Sequence, residues 1–198
     1  MRKIVIVGVG ALGSHAVLFL RGMGLERGAG AHEIVAIDFD RVEQKNTLAQ
    51  FHSKSTVGKN KALSLQQSIS FLFGVRISAV PHQLTRDNAK VLLGGAALVI
   101  DCLDNGASRR IVQTFVRELS IPCLHGALAA HGGVGRVVWD DKFQIDENDG
   151  GAATCEDGAH LPFIGLVSAH IARAAQQFLA TGQQLSFQVF ARSPSTFV

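Results

Sequence analysis

Polar residues that suit phosphate and metal chemistry gather in three short segments of the chain. The segments are Asp38-Phe39-Asp40-Arg41-Val42-Glu43-Gln44-Lys45-Asn46, then Gly58-Lys59-Asn60-Lys61-Ala62, then Asp101-Cys102-Leu103-Asp104-Asn105 with Arg109 one helical turn further on. A lysine supplies a cation for phosphates, and an aspartate supplies a hard oxygen ligand for Mg²⁺. A nucleoside triphosphate with bound Mg²⁺ needs both groups, whereas NAD has little use for them near its phosphates.

A glycine turn, Gly8-Val9-Gly10-Ala11-Leu12-Gly13, precedes these segments. Its spacing is G-x-G-x-x-G, and it follows a strand-like run and opens a helix-like one, which is the context that a nucleotide-binding turn requires. Gly8 permits the tight turn, Gly10 lets the backbone approach a phosphate, and Gly13 lets the helix pack closely on the sheet. Free N–H groups at the helix start, at Ala11 and Leu12, would attract an anion.

Asp38 ends the second predicted strand, where a carboxylate can accept hydrogen bonds from ribose hydroxyls. The turn and Asp38 are together compatible with NAD, FAD, S-adenosylmethionine or ATP, and the turn can also serve packing alone. Each downstream residue has a structural alternative too. Lys61 can be an exposed helix lysine, Asp104-Asn105 can be a helix N-cap, and Arg109 can pair with a surface carboxylate.

The elements that must position these residues alternate between strand and helix. Apolar, β-branched runs predict strands at 3–7, 33–38, 75–80, 97–102, 122–127, 133–139 and 185–191. Apolar residues at helical spacing predict helices at 11–22, 58–73, 87–93, 105–119 and 161–179. This alternation predicts an α/β fold with a Rossmann-like, doubly wound and mainly parallel sheet, whose strand ends line one ligand crevice.

We expect a single domain, 1–198, with a Rossmann-like part at 1–127 and a mixed portion at 128–198 that holds a loop, a helix and the last strand. With 47% hydrophobic and 18% charged residues, the composition suits a globular α/β protein. No apolar run is long enough for a membrane span, and the first apolar run leads into a glycine turn rather than a cleavage site. We therefore expect a cytoplasmic protein without membrane contact.

Charge and cysteine content exclude other classes. The 19 Lys and Arg and 16 Asp and Glu residues are spread along the chain, which argues against nucleic-acid binding. Cys102, Cys123 and Cys155 form no CxxC pair, so neither a zinc cage nor a disulfide framework is expected. Cys102 and Cys123 lie in predicted strands and are expected in the core. Cys155 lies in a polar loop beside Glu156 and Asp157, which disfavour a thiolate, so it is either a nucleophile or an incidental thiol.

The glycine turn and the three segments, in this order, closely resemble the ThiF/MoeB/HesA family, the bacterial relatives of ubiquitin-activating enzymes. The family pattern is a glycine turn, then D-x-D-x-V-x-x-x-N-L-x-R-Q, then G-x-x-K, then D-x-x-D-N-x-x-x-R. Thr154-Cys155-Glu156-Asp157-Gly158, followed by 165–182, resembles the family's cysteine-containing crossover loop and the helix after it. The resemblance covers about residues 4 to 182.

The resemblance implies ATP-dependent adenylation of the C-terminal carboxylate of a small ubiquitin-like β-grasp carrier protein ending in Gly-Gly, with transfer to Cys155 as an optional second step. It also implies a homodimer or a heteromer with a related subunit. The attacking carboxylate is already ionised at neutral pH and needs no general base. Fixed donors and a metal ion would stabilise the charge that develops on the phosphate.

The resemblance further implies a role for each site residue. Asp38 holds the ribose, Asn46 and Lys61 contact the phosphates, Asp104 ligates Mg²⁺, and Arg109 braces the acidic cluster. Asp40 completes the nucleotide site together with the glycine turn.

The chain departs from the family pattern at a cation. Aligning Asn46 with the family asparagine places Ala49 where the pattern has an arginine that neutralises the triphosphate. A second family arginine, which reaches in from a partner subunit, lies before the first strand, where only Met1-Arg2 stand here. Removing one such donor costs on the order of a hundredfold in rate.

Three explanations fit this departure. Lys59, Arg41 or Lys45 substitutes for the arginine, a partner chain supplies it, or the protein has lost catalysis and is a binding or regulatory subunit. An NAD(P)-dependent oxidoreductase is a further alternative. It rests on the turn and Asp38 alone, because a chain without tyrosine has no Ser/Tyr/Lys hydride-transfer set.

Overall fold

A computed structural model describes residues 2–22, 32–129, 133–145 and 158–192. Within these ranges a seven-stranded sheet is covered by helices on both faces. The strands and helices in chain order are β1 (Arg2–Val7), α1 (Ala11–Leu20), β2 (His32–Ile37), α2 (Lys61–Phe73), β3 (Ser78–Val80), α3 (Ala89–Leu93), β4 (Ala96–Asp101), α4 (Gly106–Glu118), β5 (Cys123–Leu128), β6 (Val134–Trp139), α5 (Leu161–Thr181) and β7 (Phe187–Phe190). Short 3₁₀ turns span Gln44–Leu48, Lys54–Thr56 and Gly158–His160.

The strand order in the sheet is β3-β2-β1-β4-β5-β6-β7. The first five strands pair in parallel, and β6 and β7 pair antiparallel at the far end. This confirms the predicted doubly wound, mainly parallel sheet with a mixed C-terminal portion. The chain reverses its direction of winding between β1 and β4, which is where such sheets bind ligands.

Strand β1 shows how the two helical layers form. Its side chains alternate, so Ile4 and Ile6 pack with residues of α1, α2 and α5, while Val5 and Val7 pack with residues of α3 and α4. All four side chains are buried, since both faces of a parallel sheet are covered. In the described part of the chain, no helix is both long enough and apolar enough to cross a membrane.

The glycine turn joins β1 to α1 through a very close backbone contact. Gly8 has φ +83°, a conformation that side chains disfavour. A Cβ placed on Gly13 would lie 1.9 Å from the carbonyl oxygen of Gly8. Helix α1 therefore passes directly over the turn, and the spacing of these two glycines is set by that contact.

Helix α2 begins at Lys61, three residues later than predicted. The side chain of Asn60 accepts a hydrogen bond from the N–H of Leu63 at 3.1 Å and so caps the helix, while Gly58 has φ +86°. The polar loop predicted around Cys155 falls within residues 146–157, which lie outside the described residues.

Gly13→Ala should lower the free energy of unfolding by about 2 kcal/mol or more, because its Cβ would meet backbone that cannot move aside. Urea denaturation monitored by circular dichroism measures this loss. Gly165→Ala is the matched control, since a Cβ there meets no atom within 4 Å. This helical substitution should stabilise the protein by roughly 0.5–1 kcal/mol. Equal stability of Gly13→Ala and the wild type would contradict the contact.

Candidate functional site

The glycine turn leads, at the carboxyl end of β1, into a helix start that has no side-chain cap. Gly10 is the N-cap residue of α1, and no described side chain caps the free N–H groups that follow it. A Cβ on Gly10 would meet only the end of the Gln50 side chain, at 3.9 Å. The N–H groups of Ala11 and Leu12 are thus placed as an anion site requires.

Asp38 follows β2 and is tied to the turn. Its Oδ2 accepts a hydrogen bond from the N–H of Val9 at 2.8 Å, and its Oδ1 accepts one from the N–H of Asp40 at 2.9 Å. Burial raises the pKa of Asp38, against the opposing effect of the Val9 N–H. Because Asp38 and Val9 are joined, a ligand that reaches the turn also lies near this carboxylate.

Lys61 is the first residue of α2 and is only 9% exposed. Its Nζ lies 3.3 Å from Oδ2 of Asp40, and its backbone N–H donates to the Asp40 carbonyl at 2.8 Å. The alternative of an exposed helix lysine is therefore wrong. The structure brings Asp38, Asp40 and Lys61 together, and their contacts with ribose and phosphate stay predictions.

Asn46 is buried and stabilises its own segment. Its Oδ1 accepts a hydrogen bond from the N–H of Glu43 at 2.8 Å, and its carbonyl accepts one from the N–H of Gln50 at 2.9 Å. The side-chain oxygen of Asn46 therefore caps the 3₁₀ turn at Gln44–Leu48. A contact between Asn46 and phosphate stays a prediction.

The loop that carries Asp104 follows β4 and is tied to the end of β1, where the glycine turn begins. The N–H of Cys102 donates to the carbonyl of Val7 at 2.9 Å, which ties this loop to the end of β1. The side chain of Asn105 accepts from the N–H of Ser108 at 2.9 Å, so Asn105 is the N-cap of α4, as its structural alternative held. Asp104 itself is exposed.

No cluster of three or more metal-ligating side chains occurs within the described ranges. A single exposed carboxylate suits Mg²⁺, which is commonly held by one or two carboxylates together with substrate phosphates. Asp104 therefore fits the role that the sequence predicted, and Mg²⁺ ligation stays a prediction.

Arg109 is buried and does not contact Asp104. Its Nη1 lies 2.7 Å from Oδ2 of Asp101, a carboxylate with no exposed area. Its Nη2 donates to the carbonyls of Leu103 and Gly126. The alternative of a surface ion pair is therefore wrong. Arg109 braces the loop that carries Asp104 through Asp101 and Leu103, and its role toward a ligand stays a prediction.

His52 is a residue of the site that sequence reasoning missed. Its Nε2 lies 3.0 Å from the carbonyl oxygen of Val9, and its Nδ1 lies 3.4 Å from Oγ of Ser64. Burial lowers the pKa of His52 to about 4, so the ring is neutral at neutral pH and can donate to Val9 through Nε2. His52 thereby holds the carbonyl of Val9, while Asp38 holds the N–H of the same residue. Nothing local in the sequence links residues this far apart.

Of the two cysteines expected in the core, Cys123 is confirmed there, whereas Cys102 follows β4 and is only partly buried against the core. Burial raises the pKa of both thiols, so neither is an activated nucleophile. Cys155 lies outside the described residues.

Several curated proteins are similar to this chain in sequence. The chain is 29% identical over 192 residues to molybdopterin-synthase adenylyltransferase of Salmonella typhimurium, and the match covers 90% of this chain and 73% of that protein. It is 30% identical over 131 residues to the SAMP-activating enzyme E1 of Haloferax volcanii. It is 33% identical over 128 residues to the sulfur carrier protein adenylyltransferase of Thermus thermophilus. These two matches each cover 64% of this chain and 45% of the relative.

Solved structures share the fold at low sequence identity. PaaA superposes with a TM-score of 0.73 at 16% identity, covering 97% of this chain and 61% of that chain. Escherichia coli MccB, crystallised with AMPCPP and MccA, superposes with a TM-score of 0.71 at 18% identity, covering 98% of this chain and 65% of that chain. The chain thus spans less than two thirds of both structures.

The family model described as the ThiF family matches residues 1–190. That match includes the glycine turn, Asp38, Lys61 and the Asp104 loop. The chain belongs to the ThiF family.

Proposed function

We propose that this chain uses ATP and Mg²⁺ to adenylate the C-terminal carboxylate of a small β-grasp carrier protein ending in Gly-Gly. The observation that carries the proposal is the meeting, at one edge of the sheet, of an uncapped helix start, a ribose acceptor, a buried cation and an exposed carboxylate. These are the start of α1, Asp38, Lys61 and Asp104. The names of the relatives support the proposal: two are adenylyltransferases, which supports ATP, and one of these acts on a sulfur carrier protein, which supports the carrier.

The residues of the site have distinct tasks in this reaction. The N–H groups of Ala11 and Leu12 and the ammonium of Lys61 hold the phosphates, and Asp38 orients the ribose. Asp104 would hold Mg²⁺, which neutralises phosphate charge when bound. An oxygen of the carrier carboxylate forms a bond to the α-phosphorus, and the bond from that phosphorus to the bridging oxygen breaks, which releases pyrophosphate.

Family membership favours ATP over NAD(P). Lys61, which is buried near the proposed ribose acceptor Asp38, and Asp104, which follows β4 where the winding reverses, suit a triphosphate with a metal ion. The same features have no task in hydride transfer. A homodimer, or a heteromer with a related subunit, belongs to the proposal because the family resemblance implies it.

A second candidate is a binding or regulatory subunit that does not cleave ATP, and the environment of Ala49 favours it. Ala49 stands where the family pattern has an arginine, and its side chain has no exposed area and packs in the main core.

For the adenylating enzyme, Arg41 and Lys59 offer a positive charge that could substitute for this arginine. Together with Phe39, the neighbour of Asp38, they line a cavity of about 440 Å³.

Pyrophosphate exchange with a carrier ending in Gly-Gly tests adenylation. Lys61→Ala and Asp104→Asn should each lower the exchange rate on the order of a hundredfold, because each removes a fixed charge at the phosphates. Lys54→Ala and Asp141→Asn are matched controls at exposed positions and should keep the wild-type rate.

A thermal shift assay separates the candidates. Mg·ATP should raise the melting temperature and NAD should not, since a ligand of the native state stabilises it. Stabilisation by NAD alone would refute the proposal. Binding of Mg·ATP without exchange on any carrier would favour the binding subunit.

Ala49→Arg tests whether the missing arginine can be restored. Because the side chain is buried, an unpaired charge there should lower the free energy of unfolding by about 3 kcal/mol or more and should not raise the exchange rate. Leu48→Arg, at a side chain 53% exposed, is the control and should leave stability nearly unchanged. A stable Ala49→Arg variant with faster exchange would show that the lack of this arginine limits the exchange rate of the wild type.

Cys155→Ser tests the second step of the proposal. If Cys155 accepts the acyl group, the variant should keep pyrophosphate exchange and lose a thiol-sensitive covalent adduct with the carrier on non-reducing gels. Cys123→Ser, at a buried thiol, is a control that should keep the adduct. An adduct that persists in Cys155→Ser would exclude this cysteine as the acceptor.

A further inference from the structure

His125 lies between two carboxylates in the interior of the sheet. It stands in β5 opposite Asp101 of β4, and its Nδ1 lies 2.7 Å from Oδ2 of that residue. Its Nε2 lies 3.0 Å from Oδ1 of Asp140, which follows β6. The ring has no exposed area and stacks in parallel on Phe143, with centroids 4.2 Å apart.

Both carboxylates are ionised. Burial disfavours the charge of Asp101, but Arg109, His125 and the N–H of Leu103 outweigh it and lower the pKa of that carboxyl. Burial likewise disfavours the charge of Asp140, and hydrogen bonds from His125, Arg117 and Gln113 outweigh it and lower the pKa to about 2.

The two carboxylates decide the protonation of the ring between them. An ionised carboxylate only accepts hydrogen bonds, so each ring nitrogen of His125 must carry a proton to face one. The geometry therefore requires an imidazolium. A neutral ring would leave one nitrogen lone pair directed at a carboxylate oxygen.

Asp101 connects this cation to the nucleotide site. Its Oδ1 accepts a hydrogen bond from the N–H of Leu103 at 2.9 Å, and its Oδ2 holds Arg109, which in turn donates to the Leu103 carbonyl. Leu103 directly precedes Asp104. The position of the Asp104 carboxylate thus depends on where the Asp101 carboxylate is held.

We propose that His125 is a positioning residue for the nucleotide site, which as an imidazolium fixes Asp101 against Asp140 and releases the Asp104 loop when it loses its proton. The inference rests on the proposed function, because Asp104 is the carboxylate that would meet Mg·ATP. It adds to that function a dependence of nucleotide affinity on pH.

The charged and titratable groups around His125 come from every element packed against it. They are Asp101 of β4, Arg109 of α4, Asp140 with its partner Arg117, and Cys123 of β5 itself, whose Sγ lies 3.5 Å from Nε2. Burial lowers the pKa of His125, but the hydrogen bonds to Asp101 and Asp140 outweigh burial and raise it above the ordinary 6.5. His125 is therefore protonated below about pH 6.5 and loses its proton only as the pH rises through the raised pKa.

The test compares two measurements on the wild-type protein between about pH 6 and pH 9. The titration of the His125 ring is followed by NMR of the imidazole carbon. The Kd of a non-hydrolysable ATP analogue with Mg²⁺ is measured by calorimetry at the same pH values. The Kd should rise about tenfold as His125 loses its proton, which corresponds to one pKa unit of coupling.

Two variants separate positioning from stability. Asp140→Asn offers an amide to Nε2, so a neutral ring satisfies both neighbours and the Kd should become independent of pH. His125→Gln cannot become charged, and its Kd should be raised and equally flat. Arg117→Gln is the matched control: it removes an exposed partner of Asp140, leaves the ring between its two carboxylates, and should keep the wild-type pH profile.

The outcomes distinguish this inference from the proposed function. An analogue that binds with one Kd throughout while His125 titrates overturns the inference and leaves the nucleotide site intact. An analogue that binds at no pH overturns the proposed function and this inference with it. If His125→Gln does not fold, Asp140→Asn still decides, because a pH profile unchanged from the wild type in that variant contradicts the inference.

Discussion

The carboxylate of Asp101 is fully buried. The residues at the carboxyl ends of the neighbouring strands are arranged so that this carboxylate receives the hydrogen bonds it needs. A buried charge that loses its partner costs several kcal/mol, so the chain has to bring donors to it. Arg109 comes from α4, His125 comes from β5, and the N–H of Leu103 comes from the loop itself. Pairing one carboxylate therefore fixes a helix, a neighbouring strand and the loop that carries Asp104.

The other half of the site is held by a second set of internal contacts. Both backbone polar groups of Val9 are hydrogen-bonded. Its N–H donates to the carboxylate of Asp38, and its carbonyl accepts from the ring of His52. Beneath them, Gly13 lies so close to Gly8 that α1 cannot shift along the turn. Rigid positioning of this kind is what a site needs if fixed dipoles are to stabilise a developing charge.

Local features of the sequence predicted the fold well, because apolar runs and glycine spacing determine strands, helices and the turn directly. The start of α2 was misplaced because the cap is the side chain of Asn60, and the two 3₁₀ turns before it carry no apolar period. In the site, the placement of Asp104 after β4 and the N-cap role of Asn105 could be predicted, because a strand end and a helix cap are local.

The tertiary pairings of the site could not be predicted in the same way. His125 faces Asp101 across 24 residues, and His52 faces Val9 across 43. Only strand order and register bring such residues together. The burial of Lys61 likewise depends on how the segment after β2 packs onto α2, and a helix-start lysine carries no sign of that.

Two of the ion pairs near the site, Lys61–Asp40 and Arg109–Asp101, differ in how easily the cation could change its partner. Arg109 and Asp101 have side chains 9% and 0% exposed, so neither can change partner without leaving a buried charge unpaired. Lys61 has a side chain 11% exposed, but that of its partner Asp40 is 51% exposed, and water can take over the carboxylate when the lysine leaves. Ion pairs with an exposed member are worth about 0–1 kcal/mol, so a phosphate can displace Asp40 at little cost. Exposure of the partner therefore supports our proposal that Lys61 is the cation for the triphosphate and Arg109 the brace, although both are buried and both stand in the family pattern.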